Sequence, residues 1–222
     1  MIDTRRNAAI RHSMMGRSDI GGVRRLDDLQ HLEADHSWMW TLSKHKGRPL
    51  APDDFVEALR IRLGVAGPSA PLPCGLCGAA LLDNACAHAF CCARAESTRG
   101  HHGVTRALHA EFVIVDPGAE LEAPGLIPGT RLRPADILTS SLNAGLTALD
   151  IGVASPDAVN AGVDCVATMY NRKMLSYADH EPTLSRQNIE YQPCVFSCYG
   201  RPHPRTTSIL RTLAKRLSRR RG

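Results

Sequence analysis

Two short apolar runs in the middle of the chain, residues 135–138 and 149–153, predict a β-hairpin, because both are rich in β-forming residues and turn residues 143–145 lie between them. Each run contains one aspartate, Asp136 in the first and Asp150 in the second. A carboxylate within a strand is costly unless a cation compensates its charge. Two aspartates on adjacent strands therefore predict a shared divalent ion, and their hard oxygen ligands suit Mg²⁺. The alternative is a hairpin whose aspartates face water.

The segment after the hairpin predicts a helix that begins at Ser155, since a capping hydroxyl is followed there by proline and an acid. An almost wholly apolar stripe then recurs at spacings of three and four, at Val159, Val163, Val166, Tyr170, Lys173 and Tyr177. Lys173 is its one charged member. The helix would cross back over the strands that carry the aspartates, so we expect Lys173 to reach them. The alternative is a lysine whose stem packs along the stripe while its ammonium stays in water.

The remaining periodicity predicts helices over residues 53–64, 100–112 and 206–219 and strands over residues 112–115 and 189–197. The order of these elements predicts an α/β fold, a mixed central sheet with helices on both faces. Glu111 shares the apolar face of the helix at 100–112, which makes it a possible further metal ligand or base.

The N-terminal third of the chain consists of two predicted segments. Residues 1–35 show no clear periodicity and predict a poorly ordered arm. Residues 36–73 contain both tryptophans and one helix, and they predict a helical linker segment that supports packing.

Five of the eight cysteines lie between residues 74 and 92. Cys74 and Cys77 form a C-x2-C knuckle, His88 follows after ten residues and Cys92 after three more, a spacing typical of a tetrahedral zinc site. Cys91 competes with Cys92 for the fourth position. Residues 74–99 therefore predict a zinc knuckle with structural Zn²⁺. Disulfides are the rival interpretation, and no secretory signal favours them.

Composition and charge narrow the class of protein. The 222 residues carry a formal net charge of +5, and no apolar run approaches the length of a membrane span. The N-terminus lacks a signal-peptide core, so we expect an intracellular, soluble protein without a membrane partner. The basic C-terminal tail could contact nucleic-acid phosphates, act as a nuclear address or be merely solvated.

Several motifs together resemble the C-terminal region of non-LTR retrotransposon polyproteins. They are CGLC, HAFCC, GHHGV, RPADILTSSLNAGLTALDIGVASP, NRKMLSY and QPCVFSCYGRPHP, and the likeness spans roughly residues 38–219. That region consists of a zinc knuckle and a restriction-endonuclease-like domain of the PD-(D/E)XK superfamily, here residues 100–222. The resemblance implies a nuclear, Mg²⁺-dependent endonuclease that nicks target DNA for insertion.

Individual residues match the motifs of that family. Asp136 and Asp150 match its two acids, Lys173 matches a lysine displaced onto the following helix, and His101 matches a histidine after the knuckle. The expected contacts to DNA, with RNA as the alternative, are Arg131 and Arg133 beside the hairpin and Arg172 beside Lys173.

Two departures from the family pattern stand in the hairpin. One residue separates Pro134 from Asp136, and Gly152 stands where an in-strand lysine would be. No reverse-transcriptase segment lies within the chain. Three hypotheses follow: an active endonuclease, a nucleic-acid-binding module that cleaves nothing, or a decayed mobile-element relic.

Overall fold

The computed structural model describes residues 20–32, 34, 52–64, 72–82, 87–90, 92 and 96–221. The two tryptophans of the predicted linker lie outside these ranges. The helices are α1 Ile20–Gln30, α2 Pro52–Leu63, α3 Glu96–Val115, α4 Cys165–Tyr177, α5 Glu181–Arg186 and α6 Pro204–Arg221, with short 3-10 turns at Ala87–Phe90 and Ala178–His180. The strands are β1 Leu72–Pro73, β2 Leu81–Leu82, β3 Glu120–Leu121, β4 Ile137–Thr139, β5 Leu146–Ala154 and β6 Ile189–Ser197.

A mixed four-stranded sheet, in the order β3-β4-β5-β6, forms the centre of the fold. The pairs β3–β4 and β4–β5 are antiparallel, whereas β5 and β6 are parallel because α4 and α5 connect them. The predicted α/β class, a mixed sheet flanked by helices, is confirmed.

The two faces of β5 pack against different helices, as the two-residue period of a strand requires. Leu149 and Ile151 join Phe112 of α3 and Leu213 of α6 in one core cluster. On the opposite face, Ala148 packs with Leu184 of α5, and Ala154 packs with Val166 of α4. Asp150 has the parity of this second face and thus points toward α4.

The predicted hairpin is confirmed. β4 and β5 pair antiparallel with Ile137 opposite Leu149. The strand at 189–197 is also confirmed as β6, and the predicted helices at 53–64 and 206–219 correspond to α2 and α6 with ends shifted by one or two residues.

The predicted strand at 112–115 is wrong, because α3 continues to Val115. Val104, Leu108 and Phe112 recur every four residues, and the fully buried Phe112 packs against the sheet from a helix. The helix stops before Pro117, and the edge strand forms at Glu120–Leu121 instead.

The predicted start of the helix after the hairpin is also wrong. α4 begins at Cys165, where Asp164 accepts hydrogen bonds from the N–H groups of Val166 and Ala167. Ser155 caps a local turn, accepting a bond from the N–H of Asp157. Val159 and Val163 are fully exposed and do not belong to the apolar stripe.

Part of the arm predicted to be poorly ordered is helical. Arg25, Leu26 and Asp28 of α1 are buried, and Asp28 pairs with Arg201 at 2.6 Å. Periodicity did not reveal this helix because two of its buried residues, Arg25 and Asp28, are charged. No helix among the described residues has the length and apolar character that crossing a membrane requires.

Candidate functional site

The β4–β5 hairpin brings Asp136 and Asp150 close together. Asp136 directly precedes β4, and Asp150 lies within β5. The N–H of Asp136 donates to the carbonyl of Leu149 at 2.9 Å, and the Asp136 carboxylate accepts from the N–H of Ile151 at 2.7 Å, so Asp136 is bonded to both chain neighbours of Asp150. The hairpin, set by turn and apolar residues, therefore holds the two aspartates in one site.

Asp150 is held from both sides of its carboxylate. Lys173 Nζ of α4 donates to Oδ1 at 2.6 Å, and the Tyr191 hydroxyl of β6 donates to Oδ2 at 2.6 Å. Burial raises the pKa of the Asp150 carboxyl, while the charge and hydrogen bond of Lys173 oppose that rise. The prediction that Lys173 reaches a strand aspartate is confirmed.

Asp136 is bound by a histidine and a main-chain donor. His101 Nε2 of α3 lies 3.0 Å from Asp136 Oδ2, and the N–H of Ile151 donates to the same oxygen at 2.7 Å. Burial, the largest single influence, raises the pKa of Asp136, but the hydrogen bond and charge of His101, the Ile151 N–H and the charge of Lys173 together bring that pKa below its ordinary value. The same bond raises the pKa of His101. The imidazole is therefore biased toward its charged form beside the carboxylate.

Gly152 makes room for Lys173. A Cβ at this position would lie 2.8 Å from Lys173 Cε and 2.8 Å from Met169 Sδ, closer than such atoms approach. The lysine side chain thus crosses β5 directly over the glycine. The space that a side chain at position 152 would fill is thus occupied by the stem of Lys173.

Tyr191 is a site residue that the sequence did not reveal. Its ring lies 4.7 Å from the ring of Tyr177, and its hydroxyl fixes the free oxygen of Asp150. The sequence shows only a tyrosine within the predicted strand at 189–197. Its contact with Asp150 depends on the parallel register of β5 and β6, which puts Tyr191 beside Ala148 and which the sequence does not specify.

The structure separates Glu111 from this cluster, so its predicted role as ligand or base is wrong. Ten helical residues, about 15 Å, lie between His101 and Glu111 on α3. Glu111 instead pairs with Arg221 of α6 at 3.1 Å.

The three arginines expected at DNA lie on the surface. Arg133 pairs with Glu122 at 3.1 Å, and the side chains of Arg131 and Arg172 are exposed. Their contact with nucleic acid stays a prediction.

A second cluster consists of Cys74, Cys77, His88 and Cys92, whose ligand atoms all lie within 4.8 Å of one another. β1 and β2 form the knuckle, in which the N–H of Cys74 donates to Ala80 at 2.7 Å. The 3-10 turn Ala87–Phe90 brings His88 Nε2 to 3.3 Å from Cys77 Sγ. This cluster of three thiols and one imidazole could bind a metal such as zinc.

The knuckle backbone favours the ligand form of one thiol. Hydrogen bonds from Ala79 and Ala80 lower the pKa of Cys77 to about 6. The thiolate is the form that binds metal. Cys91, the competitor for the fourth position, lies outside the described residues.

Comparisons with protein-family models, with curated proteins and with solved structures find no match to this chain. The chemistry of the two clusters therefore has to be inferred from their own geometry.

Proposed function

We propose that this protein is a Mg²⁺-dependent endonuclease that nicks DNA, of the restriction-endonuclease-like type carried by non-LTR retrotransposons, and that it acts in the nucleus. The observation that carries the proposal is the gathering of Asp136, Asp150, Lys173 and His101, which come from three separate elements and the end of a fourth. The retrotransposon origin is supported by the motif resemblance alone.

The donor set suits a hard divalent cation. Asp136 and Asp150 supply carboxylate oxygens, and Oδ1 of Asp136 accepts no hydrogen bond from any residue that the structure describes. When bound, Mg²⁺ would supply Lewis acidity toward a phosphodiester oxygen and a lowered pKa of a bound water.

The chain's own groups would act around that ion. The side chains of Lys173 and Asp150 are 21% and 13% exposed, so the ammonium is shielded yet accessible. Lys173 would orient the attacking water or the phosphate with its positive charge. His101, which titrates nearer neutral pH than the carboxylates, would hold or move a proton at Nε2.

Purified protein incubated with supercoiled plasmid tests the proposal. With Mg²⁺ we expect nicked circles, and with EDTA none. Asp150→Asn should abolish nicking, whereas the matched exposed variant Asp179→Asn should nick at the wild-type rate. Nicking that persists in Asp150→Asn at the wild-type rate would reject this site.

A second candidate function is a nucleic-acid-binding module without catalysis. It is favoured by one observation, that both oxygens of Asp150 are already engaged, by Lys173 and Tyr191. Retained plasmid binding with no nicking at any Mg²⁺ concentration would favour this alternative.

The cysteine and histidine cluster is proposed to hold one structural Zn²⁺. The support is its ligand chemistry and the 4.8 Å spread of its donor atoms. Metal analysis should find one zinc per chain, and Cys74→Ser should lose it while Cys198→Ala keeps it. Unchanged zinc in Cys74→Ser would remove the assignment.

A further inference from the structure

The solvent side of α6 is uniformly basic. The helix contains seven arginine and lysine residues and no acid. At about 100° per residue, Arg211, Lys215 and Arg219 form a row on the side away from the buried Ile209 and Leu213. Arg205 and Arg216, four residues before and seven residues after Ile209, are also exposed and lie on the adjoining side of the helix. We call the set the basic face: Arg205, Arg211, Lys215, Arg216 and Arg219.

The charges of the basic face are not neutralised by the rest of the described chain. None of its five side chains forms an ion pair with an acid among the residues that the structure describes; on α6 such a pair is made by Arg221, with Glu111. Like charges along one helix repel one another and weaken the fold slightly. A row of this kind is therefore suited to an external polyanion.

The basic face borders a large cavity at one of its members, Arg205. The cavity has a volume of about 840 Å³, and Arg205 lines it as well as belonging to the basic face. Three of the four tyrosines of the protein line it, Tyr170, Tyr177 and Tyr191, and we call it the tyrosine cavity. Tyr170 stacks on His203, the residue before α6, with ring centroids 3.9 Å apart.

The lining of the tyrosine cavity indicates which part of a polyanion it fits. Glu181 and Glu190 line it and would repel a phosphate. Its tyrosine rings offer stacking surfaces to a flat heterocycle. The NH2 groups of Asn143 and Gln192 are bonded within the protein, and their amide oxygens offer hydrogen-bond acceptors. A nucleobase meets these conditions, whereas a lipid headgroup does not.

We propose that the basic face and the tyrosine cavity together bind single-stranded nucleic acid, with phosphates along α6 and one unstacked base in the cavity. The inference deepens the proposed function and rests on it only in taking nucleic acid as the partner. Tyr191 links the tyrosine cavity to the proposed catalytic cluster, since it lines the cavity and its hydroxyl donates to Asp150. A strand held in this way would have an unpaired base beside the cluster proposed to cleave.

Salt dependence of binding tests the basic face. Fluorescence anisotropy with a labelled oligothymidine, in EDTA so that cleavage does not enter, gives affinity against salt concentration. The triple variant Arg211→Gln, Lys215→Gln, Arg219→Gln should bind on the order of tenfold more weakly, with the slope of log affinity against log salt reduced by about two. The matched control Arg24→Gln, Arg60→Gln, Arg186→Gln loses the same charge elsewhere and should keep the wild-type slope.

A second pair of variants tests the tyrosine cavity. Leu175 lines it and is 77% exposed, so Leu175→Glu should add a repelling charge without disturbing the core. We expect it to weaken oligothymidine binding severalfold and duplex binding little. Val159→Glu, an apolar-to-acid change at a fully exposed residue outside the cavity, should affect neither.

Three results would overturn the inference: an unchanged slope in the triple variant, equal effects of Leu175→Glu on single strands and duplex, or binding to phosphatidylserine vesicles but not to oligothymidine. Absence of nicking would reject the proposed endonuclease and leave these binding results unaffected. The two proposals therefore fail separately.

Discussion

Two clusters in this protein each combine two aspartates with one long cationic side chain, and they differ in geometry. In the first, Lys173 contacts Asp150 while Asp136 is bound by a histidine. In the second, Arg201 donates a hydrogen bond from Nε to Asp28 at 2.6 Å, and its two terminal nitrogens donate to Asp164 at 2.8 and 3.2 Å. The second cluster joins α1, the start of α4 and the turn after β6.

The carboxylate pKa values separate the two clusters. Burial raises the pKa of Asp164, yet the hydrogen bonds of Arg201 and of the α4 N–H groups bring it down to about 2. Asp150, by contrast, keeps a raised pKa although Lys173 contacts it. The Arg201 guanidinium donates to both carboxylates of its cluster, whereas the Lys173 ammonium donates to one aspartate and leaves its cluster open to further interaction.

The comparison teaches that residue types alone do not identify a catalytic site. Only 5% of the Arg201 side chain and 2% of the Asp28 side chain are exposed, so no substrate can reach that pair. The Lys173 cluster is reached from solvent through His101 and Asp136, whose side chains are 28% and 21% exposed. Four predictions test this division into a structural and a chemical cluster.

The largest effect is expected for Arg201→Met. Removing the guanidinium leaves Asp28 buried without its cation, which should lower the free energy of unfolding by about 3–5 kcal/mol. Urea denaturation followed by circular dichroism measures the loss. The exposed control Arg186→Met should change the same quantity by less than about 0.5 kcal/mol. A loss below about 1 kcal/mol in Arg201→Met would show that the cluster is not structural.

Lys173→Met should reduce nicking strongly and the free energy of unfolding only modestly. If the proposed nuclease is correct, plasmid nicking should fall about 10²- to 10³-fold, because the ammonium no longer orients the reacting groups. The free energy of unfolding should fall by less than in Arg201→Met, since Asp150 can take up a proton when its cation is gone. A stability loss matching that of Arg201→Met would contradict the contrast between the clusters.

Gly152→Ala should have an intermediate effect on the free energy of unfolding, because it fills the space that Lys173 occupies above Gly152. Gly152→Ala pushes a methyl group into Lys173 and Met169, so we expect a loss of about 1–3 kcal/mol in unfolding free energy and slower nicking. Gly103→Ala is the control, because its Cβ meets nothing within 4 Å and alanine favours the helix. Equal stability of the two variants would mean that Lys173 does not depend on the gap.

Local patterns predicted those parts of the fold and of the site that depend on near neighbours. The hairpin, its two aspartates and the cysteine knuckle followed from spacing, and Lys173 followed from one charged position in an apolar stripe. The strand predicted at 112–115 failed because Phe112 is equally suitable for a buried helix face. Tyr191 and Arg201 could not be predicted, because their partners lie 41 and 173 residues away in the chain.

The smallest effect concerns the pH dependence that His101 gives to the Lys173 cluster. Its pKa is raised above the ordinary 6.5, so its bond to Asp136 stabilises the fold fully below that value and less as pH rises through the folded pKa. The pKa of Asp136 is lowered from 3.8, so the contribution of that carboxylate is lost only as pH falls through the folded value. The pair is therefore most stabilising between about pH 4 and pH 6.5.

Unfolding free energy measured from pH 6 to pH 8 should decline with a contribution from His101 of less than about 1 kcal/mol, since both side chains are partly exposed. His101→Gln should flatten this decline, and the exposed neighbour variant His102→Gln should retain it. A decline that persists unchanged in His101→Gln would place the pH-sensitive group outside the Lys173 cluster. The distinction between the Lys173 cluster and the Arg201 cluster would then rest on accessibility alone.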